Sequence, residues 1–221
     1  MSRLIVCLIS VITSFVVNAV PVTIYYEALC SDSVHFITRQ LYPNYQYFKN
    51  YVTIDFIPYG KSLHSYNATT GKYSFSCHHG KEECKGNKFH ACALAQIENK
   101  DTQLEFIVCV MSTRNPANIY YIESCSQKYN LDFTKLTTCA VSSKGDKLLA
   151  LHGDKTWKLE PNIYFVPTVV FNNSALIDAN DQNKSMADFK DIVCKKISEH
   201  KPEICETLGF FDRIKNYFSS R

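Results

Sequence analysis

The chain reads as an α/β domain, and three observations predict it. A strand-like run, Val22-Thr23-Ile24-Tyr25-Tyr26, leads through Cys30 into a stretch with Phe36, Ile37 and Leu41 at helical spacing. A second strand follows, with Val52, Ile54 and Phe56 in period-2 alternation. A third β-rich run, Asn162 to Phe171, returns only after a helical middle and is followed by one more amphipathic pattern. Strand, helix and strand in that order make the opening β-α-β of an α/β unit. The 221 residues suit one sizeable domain. Hydrophobic residues make up 46% of the chain and the formal charge is only +3, which excludes a disordered tail and a basic nucleic-acid-binding arm. Seven Gly and seven Pro exclude the collagen-like and low-complexity classes.

The first residues stand apart from that domain. Arg3 precedes the apolar run Leu4 to Val17, and Val17-Asn18-Ala19 offers small residues where a signal peptidase reads. The run falls short of the roughly 20 residues a membrane-spanning helix needs. Residues 1–19 are therefore expected to be a secretory signal peptide and 20–221 the exported domain. Three Asn-x-Ser/Thr sequons, at Asn67, Asn172 and Asn183, are candidate glycosylation sites and agree with an oxidising compartment. The expected location is secreted or in the endolysosomal lumen, with most cysteines in disulfides. No nucleic-acid partner and no membrane contact are expected.

Beyond the second strand, an insertion is expected over approximately 61–160. Lys61 to Cys92 is polar and cysteine-rich, with turn signals at Tyr66-Asn67 and Thr70-Gly71, and reads as a loop stapled by disulfides. Leu104, Ile107, Val108 and Met111 predict a helix, and Asp132 or Thr134 is placed to cap another before Leu148 and Leu151. Pro167 interrupts the third β-rich run and marks an edge, a bulge or a cis turn. Asn172-Asn173 predicts a hairpin return over Ala175 to Ile177. Met186, Phe189, Val193 and Ile197, spaced 3, 4 and 4 apart, predict a terminal helix lying on the sheet.

The chemistry concentrates at Cys30-Ser31-Asp32-Ser33, where a strand gives way to a helix. Unpaired amide groups and a partial positive charge at a helix start favour thiolate over thiol. The Ser33 hydroxyl is placed to donate a hydrogen bond to the sulfur. Cleavage after Ala19 would remove Cys7 and leave nine of the ten cysteines. With Cys30 set aside, Cys77, Cys84, Cys92, Cys109, Cys125, Cys139, Cys194 and Cys205 can form four disulfides. Cys125 with Cys139 and Cys194 with Cys205 are near pairs, but eight cysteines leave the connectivity open. The odd cysteine is then a reactive thiol or an intermolecular link, and Cys30 is the candidate.

A cysteine at the first strand-to-helix turn, with the distant Val166-Pro167-Thr168, resembles the thioredoxin fold, whose cis-proline loop faces the reactive sulfur. A longer motif is more specific. Cys77-His78-His79-Gly80, Glu83-Cys84, Asn87 and Cys92 resemble the signature C-Q-H-G-x2-E-C-x2-N-x4-C of the gamma-interferon-inducible lysosomal thiol reductase family. Seven of the eight fixed positions match, and His78 stands where the family has glutamine. The match in order runs from Val22 to Cys205. The resemblance implies a thioredoxin-like α/β domain with a helical insertion and a disulfide-stapled loop. It also implies reduction of protein disulfides in acidic endolysosomes by a Cys-x-x-Cys pair, with disulfide-containing proteins and small thiols as partners and no cofactor.

This chain departs from the pair. Ser33 occupies the place of the resolving cysteine, so Cys30 would attack as a lone nucleophile and turnover would be weak or absent without an external thiol. Val166 and Pro167 are the expected substrate-binding residues. The alternative is a secreted protein without catalytic activity that binds a partner protein. Cys77, His78, His79, Cys84, His90 and Cys92 also have the donor chemistry for zinc, but disulfides are preferred for these cysteines and no metal is expected.

Overall fold

The computed structural model describes residues 19–207; the signal-peptide expectation, apart from Ala19, lies outside them. Strand β1 (Val20–Tyr26) pairs in parallel with β2 (Val52–Pro58), Val22 opposite Ile54 and Ile24 opposite Phe56. Its other edge pairs antiparallel with β5 (Thr168–Phe171), Val22 opposite Phe171 and Ile24 opposite Val169. The sheet order is therefore β2-β1-β5, with β1 at the centre.

Side chains alternate across a strand, so period 2 divides the sheet between two cores. Val22, Ile24 and Tyr26 join Val52, Ile54, Phe56, Val169 and Phe171 in the larger one. Tyr25, Ile57 and Val170 face the other way, with Tyr59, Leu149, Leu159 and Ile177. Burial on both faces is the reason that β1 is apolar nearly throughout and not alternating.

The helix after Cys30 follows the expected spacing. Helix α1 (Ser31–His35) passes without a break into a π-wound segment, Phe36–Leu41, and then α2 (Tyr42–Phe48). Phe36, Ile37 and Leu41 are fully buried in the larger core. The Phe36 ring meets Phe189 edge-on at 5.5 Å, tying this helix to the C-terminal part of the chain.

Lys61 to Cys92 is not a loop. It contains an antiparallel hairpin, β3 (Leu63–Asn67) with β4 (Lys72–Ser76), and most of helix α3 (Lys81–Gln96). The aromatic residues of the hairpin pack on each other, Tyr66 on Tyr73 at 4.9 Å, and leave little apolar alternation in the sequence. Helix α3 is concealed for a different reason: the face it buries carries Glu83, Asn87 and His90 beside Phe89 and Ala93. A helix with polar groups on its buried face lacks the apolar stripe by which helices are usually recognised.

Four more helices follow: α4 (Lys100–Met111), α5 (Ile119–Lys128), α6 (Phe133–Ala140) and α7 (Ser143–Thr156). Of the two expected caps, Asp132 performs the task, its carboxylate accepting from the Lys135 amide. The third β-rich run shortens to β5, because Val166 and Pro167 leave the ladder ahead of it. Asn172 and Asn173 turn the chain with φ of 59° and 55° as their residue type permits, but the expected hairpin does not form. Instead Leu176 bridges to Glu160, whose amide donates to Ala175 O and whose carbonyl accepts from Ile177 N. The backbone groups are satisfied by a distant segment in place of the adjacent strand.

The expected terminal helix is two. Asp188, at φ −151°, breaks the backbone between α8 (Ala179–Ala187) and α9 (Phe189–Lys196), and its carboxylate caps α9 through the Asp191 amide. Met186 belongs to the first, Phe189 and Val193 to the second, and Ile197 follows its end. Among the described residues no helix is long and apolar enough to cross a membrane.

Candidate active site

Cys30 is the N-terminal cap of α1, and its carbonyl receives the Val34 amide at 3.0 Å. The four disulfides are Cys77–Cys84, Cys92–Cys139, Cys109–Cys125 and Cys194–Cys205, leaving Cys30 as the free cysteine among the described residues. Cys194 with Cys205 is as expected from proximity. Cys125 with Cys139 is not: α5 lies against α4 and α6 against α3, so Cys125 meets Cys109 and Cys139 meets Cys92. Helix packing outweighs closeness in sequence.

The sulfur of Cys30 lies 3.5 Å from the Val166 carbonyl and donates to it across 136 residues of sequence. The Val166–Pro167 bond is cis. Cys30, Val166 and Pro167 are thus brought together, with Cys30 and Val166 only 7% and 3% exposed. The Gln182 side chain holds the loop from behind, donating to Pro167 O and accepting from the Val169 amide, each at 2.8 Å. Ser33 is fully buried, and its Oγ accepts from the Glu27 amide at 3.4 Å. The expected hydrogen bond from the Ser33 hydroxyl to the sulfur is not among the contacts found for the described residues. A groove of about 490 Å³ opens beside the loop, lined by Ser31, Val34, His35, Thr38, Arg39 and Met111 to Thr113.

The Cys77–Cys92 motif lies under the same loop. Asn87 Oδ1 accepts from the Ala28 amide at 2.8 Å, which anchors the turn that carries Cys30. Gly86 lets α3 approach that turn, since a Cβ there would fall 2.7 Å from Ala117 Cβ and 3.1 Å from Ala28 Cβ. The fully buried Glu83 receives the His79 amide at 2.9 Å and stands 2.6 Å from His79 Nδ1. Glu27 is also fully buried; burial pushes its carboxyl pKa up, against the pull of the Lys61 amide and His78. The Lys61 amide donates to its Oε1 at 2.7 Å.

Comparison with known proteins agrees with this geometry. The family model for gamma interferon inducible lysosomal thiol reductase matches residues 21–129. GILT-like protein 1 of Drosophila melanogaster is 34% identical over 90% of this chain and 82% of its own. This chain belongs to the gamma-interferon-inducible lysosomal thiol reductase family. The reductase of Carassius auratus is 30% identical over 90% of this chain and 78% of its own, and that of Mus musculus 28% over 86% and 73%. DsbA of Chlamydia trachomatis superposes with a TM-score of 0.51 at 13% identity, covering 71% of this chain and 78% of that one. The fold is thioredoxin-like, with a thiol reductase scaffold at the level of the family.

Within this family member the other candidates separate. The six-residue zinc set does not assemble: its cysteines are in disulfides, and His90 is buried elsewhere, with Nδ1 3.0 Å from Tyr26 Oη and Nε2 3.2 Å from Pro116 O. A carbonyl only accepts, so Nε2 carries the proton and Nδ1 accepts from Tyr26. Burial lowers the His90 pKa to about 4, so the ring is neutral at pH 7. Asn67, Asn172 and Asn183 are all exposed. Glu27 and Gln182 escaped sequence reasoning, and the role of Asn87 beneath the Cys30 turn did too. The signature marks Asn87, but nothing in the local pattern marks Glu27 or Gln182.

Proposed function

We propose that this chain is a monothiol member of its family, exported to the secretory or endolysosomal lumen, in which Cys30 attacks protein disulfides and Ser33 leaves the adduct unresolved. The observation that carries the reading is the one unpaired cysteine among the described residues, at the start of α1 and facing Val166, with a buried serine three residues on.

The Cys30 thiolate attacks one sulfur of a substrate disulfide, forming a mixed disulfide and expelling the other sulfur as a thiolate. A small external thiol, as thiolate, then attacks Cys30 Sγ and releases the second substrate thiol. A second equivalent takes the first off Cys30 as its own disulfide and regenerates the protein thiolate. Each cycle oxidises two small thiols and reduces one disulfide. Pro167 and the Val166 backbone line the approach to the sulfur, and Asn87 and Gln182 hold the two loops.

The test is reduction of a disulfide substrate near pH 5 with and without a small thiol, against Cys30→Ser as blank. Thiol-dependent turnover above the blank is expected. Reduced Ser33→Cys protein should release both substrate thiols in a single turnover without added thiol, while the wild-type chain stops at the mixed disulfide. Absence of any adduct on Cys30 would overturn the reading. A second reading, a lumenal protein that keeps the scaffold and acts by binding a partner, draws support from the 7% exposure of Cys30. In that case Cys30→Ser would retain full biological activity.

A further inference from the structure

We propose that Glu27, His78 and His79 form a binding site for a divalent transition metal of the zinc class, built beneath the Cys30 loop and independent of the thiol. The Nδ1 atoms of both histidines stand 3.2 Å from the same oxygen, Glu27 Oε2. One donor atom from each of the three residues lies within 4.8 Å of the other two. Zinc bonds of about 2.0 Å in tetrahedral geometry place neighbouring donors about 3.3 Å apart, so each imidazole already stands at a ligand's distance from the carboxylate. Imidazole and carboxylate are borderline donors that suit zinc and its neighbours better than magnesium or calcium.

The surroundings favour a cation. Glu27 and Glu83 are both fully buried and face His79 Nδ1 at 3.2 and 2.6 Å; carboxylates only accept, so this nitrogen carries a proton, which zinc displaces to solvent on binding. The Lys61 ammonium is the nearby competitor, 3.5 Å from His78 Nε2, the ring atom away from Glu27. The cradle is held in advance. Cys77–Cys84 brackets the two histidines, the Glu83 carboxylate pins the His79 amide, and the Lys61 amide fixes Glu27. Side chains 47% and 35% exposed at His78 and His79 leave a path for entry and a fourth position for water. His78 supplies the second imidazole.

Zinc titration of the oxidised Cys30→Ser protein by calorimetry at neutral pH tests the proposal without interference from the thiol or from reductase activity. One zinc ion per chain is expected. His78→Gln, a change at a half-exposed side chain that leaves the core untouched, should weaken binding roughly tenfold or more, as should His79→Gln. Cobalt(II) provides a second readout: its intense visible absorption in a tetrahedral site should appear with Cys30→Ser protein and disappear when His78→Gln is added. Near-ultraviolet circular dichroism checks that the variants are folded. Failure to bind zinc, or an affinity unchanged by His78→Gln, would overturn the proposal.

Discussion

Asn87 and Gly60 do much of the positioning at the site with little side-chain area. The Asn87 carbonyl oxygen is the partner of the Ala28 amide, and its own Nδ2 is buried without one. Asn87→Ala would remove that Nδ2 but leave the buried Ala28 amide without its acceptor, and a loss of about 1–3 kcal/mol is expected in urea unfolding. Gly60 sits at φ +60°, where an added Cβ would fall 2.3 Å from Glu27 Cγ. Gly60→Ala combines a strained backbone with that overlap, so a cost of about 1–3 kcal/mol is expected, with the Glu27 cradle displaced. An unchanged melting temperature in either variant would contradict these assignments. Cys30 and Ser33 were legible as a pair from their place at the strand-to-helix turn. Val166 was anticipated opposite the sulfur through the thioredoxin resemblance, whereas the roles of Asn87 and Glu27 were not legible, because both reach the turn through space.

Among the elements, helix α3 joins the parts. One end carries Cys84 and Glu83, the middle carries Asn87 under the Cys30 turn, and Cys92 fastens the helix to α6 through Cys139. The loop closed by Cys92–Cys139 spans 47 residues, whereas Cys77–Cys84 spans 7. Loop-closure entropy then predicts about 4 kcal/mol lost on removing the first and about 2 kcal/mol on removing the second. Paired serine substitutions, compared by urea midpoint, check the order; equal losses would refute it. In β1, Ile24 is fully buried in the larger core, and Ile24→Ala should cost about 2–5 kcal/mol.

For the molecule as a whole, acid acts on buried histidines. Burial lowers both His90 and His152 to about 4, from 6.5 in the unfolded chain, with Lys155 adding to the effect at His152. As pH falls the unfolded chain therefore takes up these protons first, so their contribution is complete above pH 6.5 and is lost between there and about 4. Each histidine should cost on the order of 2 kcal/mol between pH 7 and 5. Glu27 acts in the opposite direction: its raised carboxyl pKa means that protonation favours the folded state. Urea midpoints at pH 7 and 5 are expected to differ, with the acid value lower, and His90→Gln should narrow the gap. A gap unchanged by that variant would remove His90 from the account. An acidic lumen, if that is where the chain works, lowers the margin that the four disulfides help to maintain.

The sequence by itself determined the α/β class, the Cys30 turn, the helix that follows it and the family, since each rests on local spacing or on a motif written contiguously, and cysteine parity pointed to Cys30 as the free thiol. Helix α3 and the β3–β4 hairpin were illegible because their buried or packed residues are polar or aromatic, and the patterns that reveal elements are apolar. The Cys109–Cys125 and Cys92–Cys139 pairings and the bridge from Glu160 to Leu176 belong to the tertiary structure alone. So does the convergence of Glu27 with His78 and His79. Local sequence specifies which backbone conformation a segment favours, whereas these contacts depend on which buried faces pack together, and that is settled only when the whole chain excludes water.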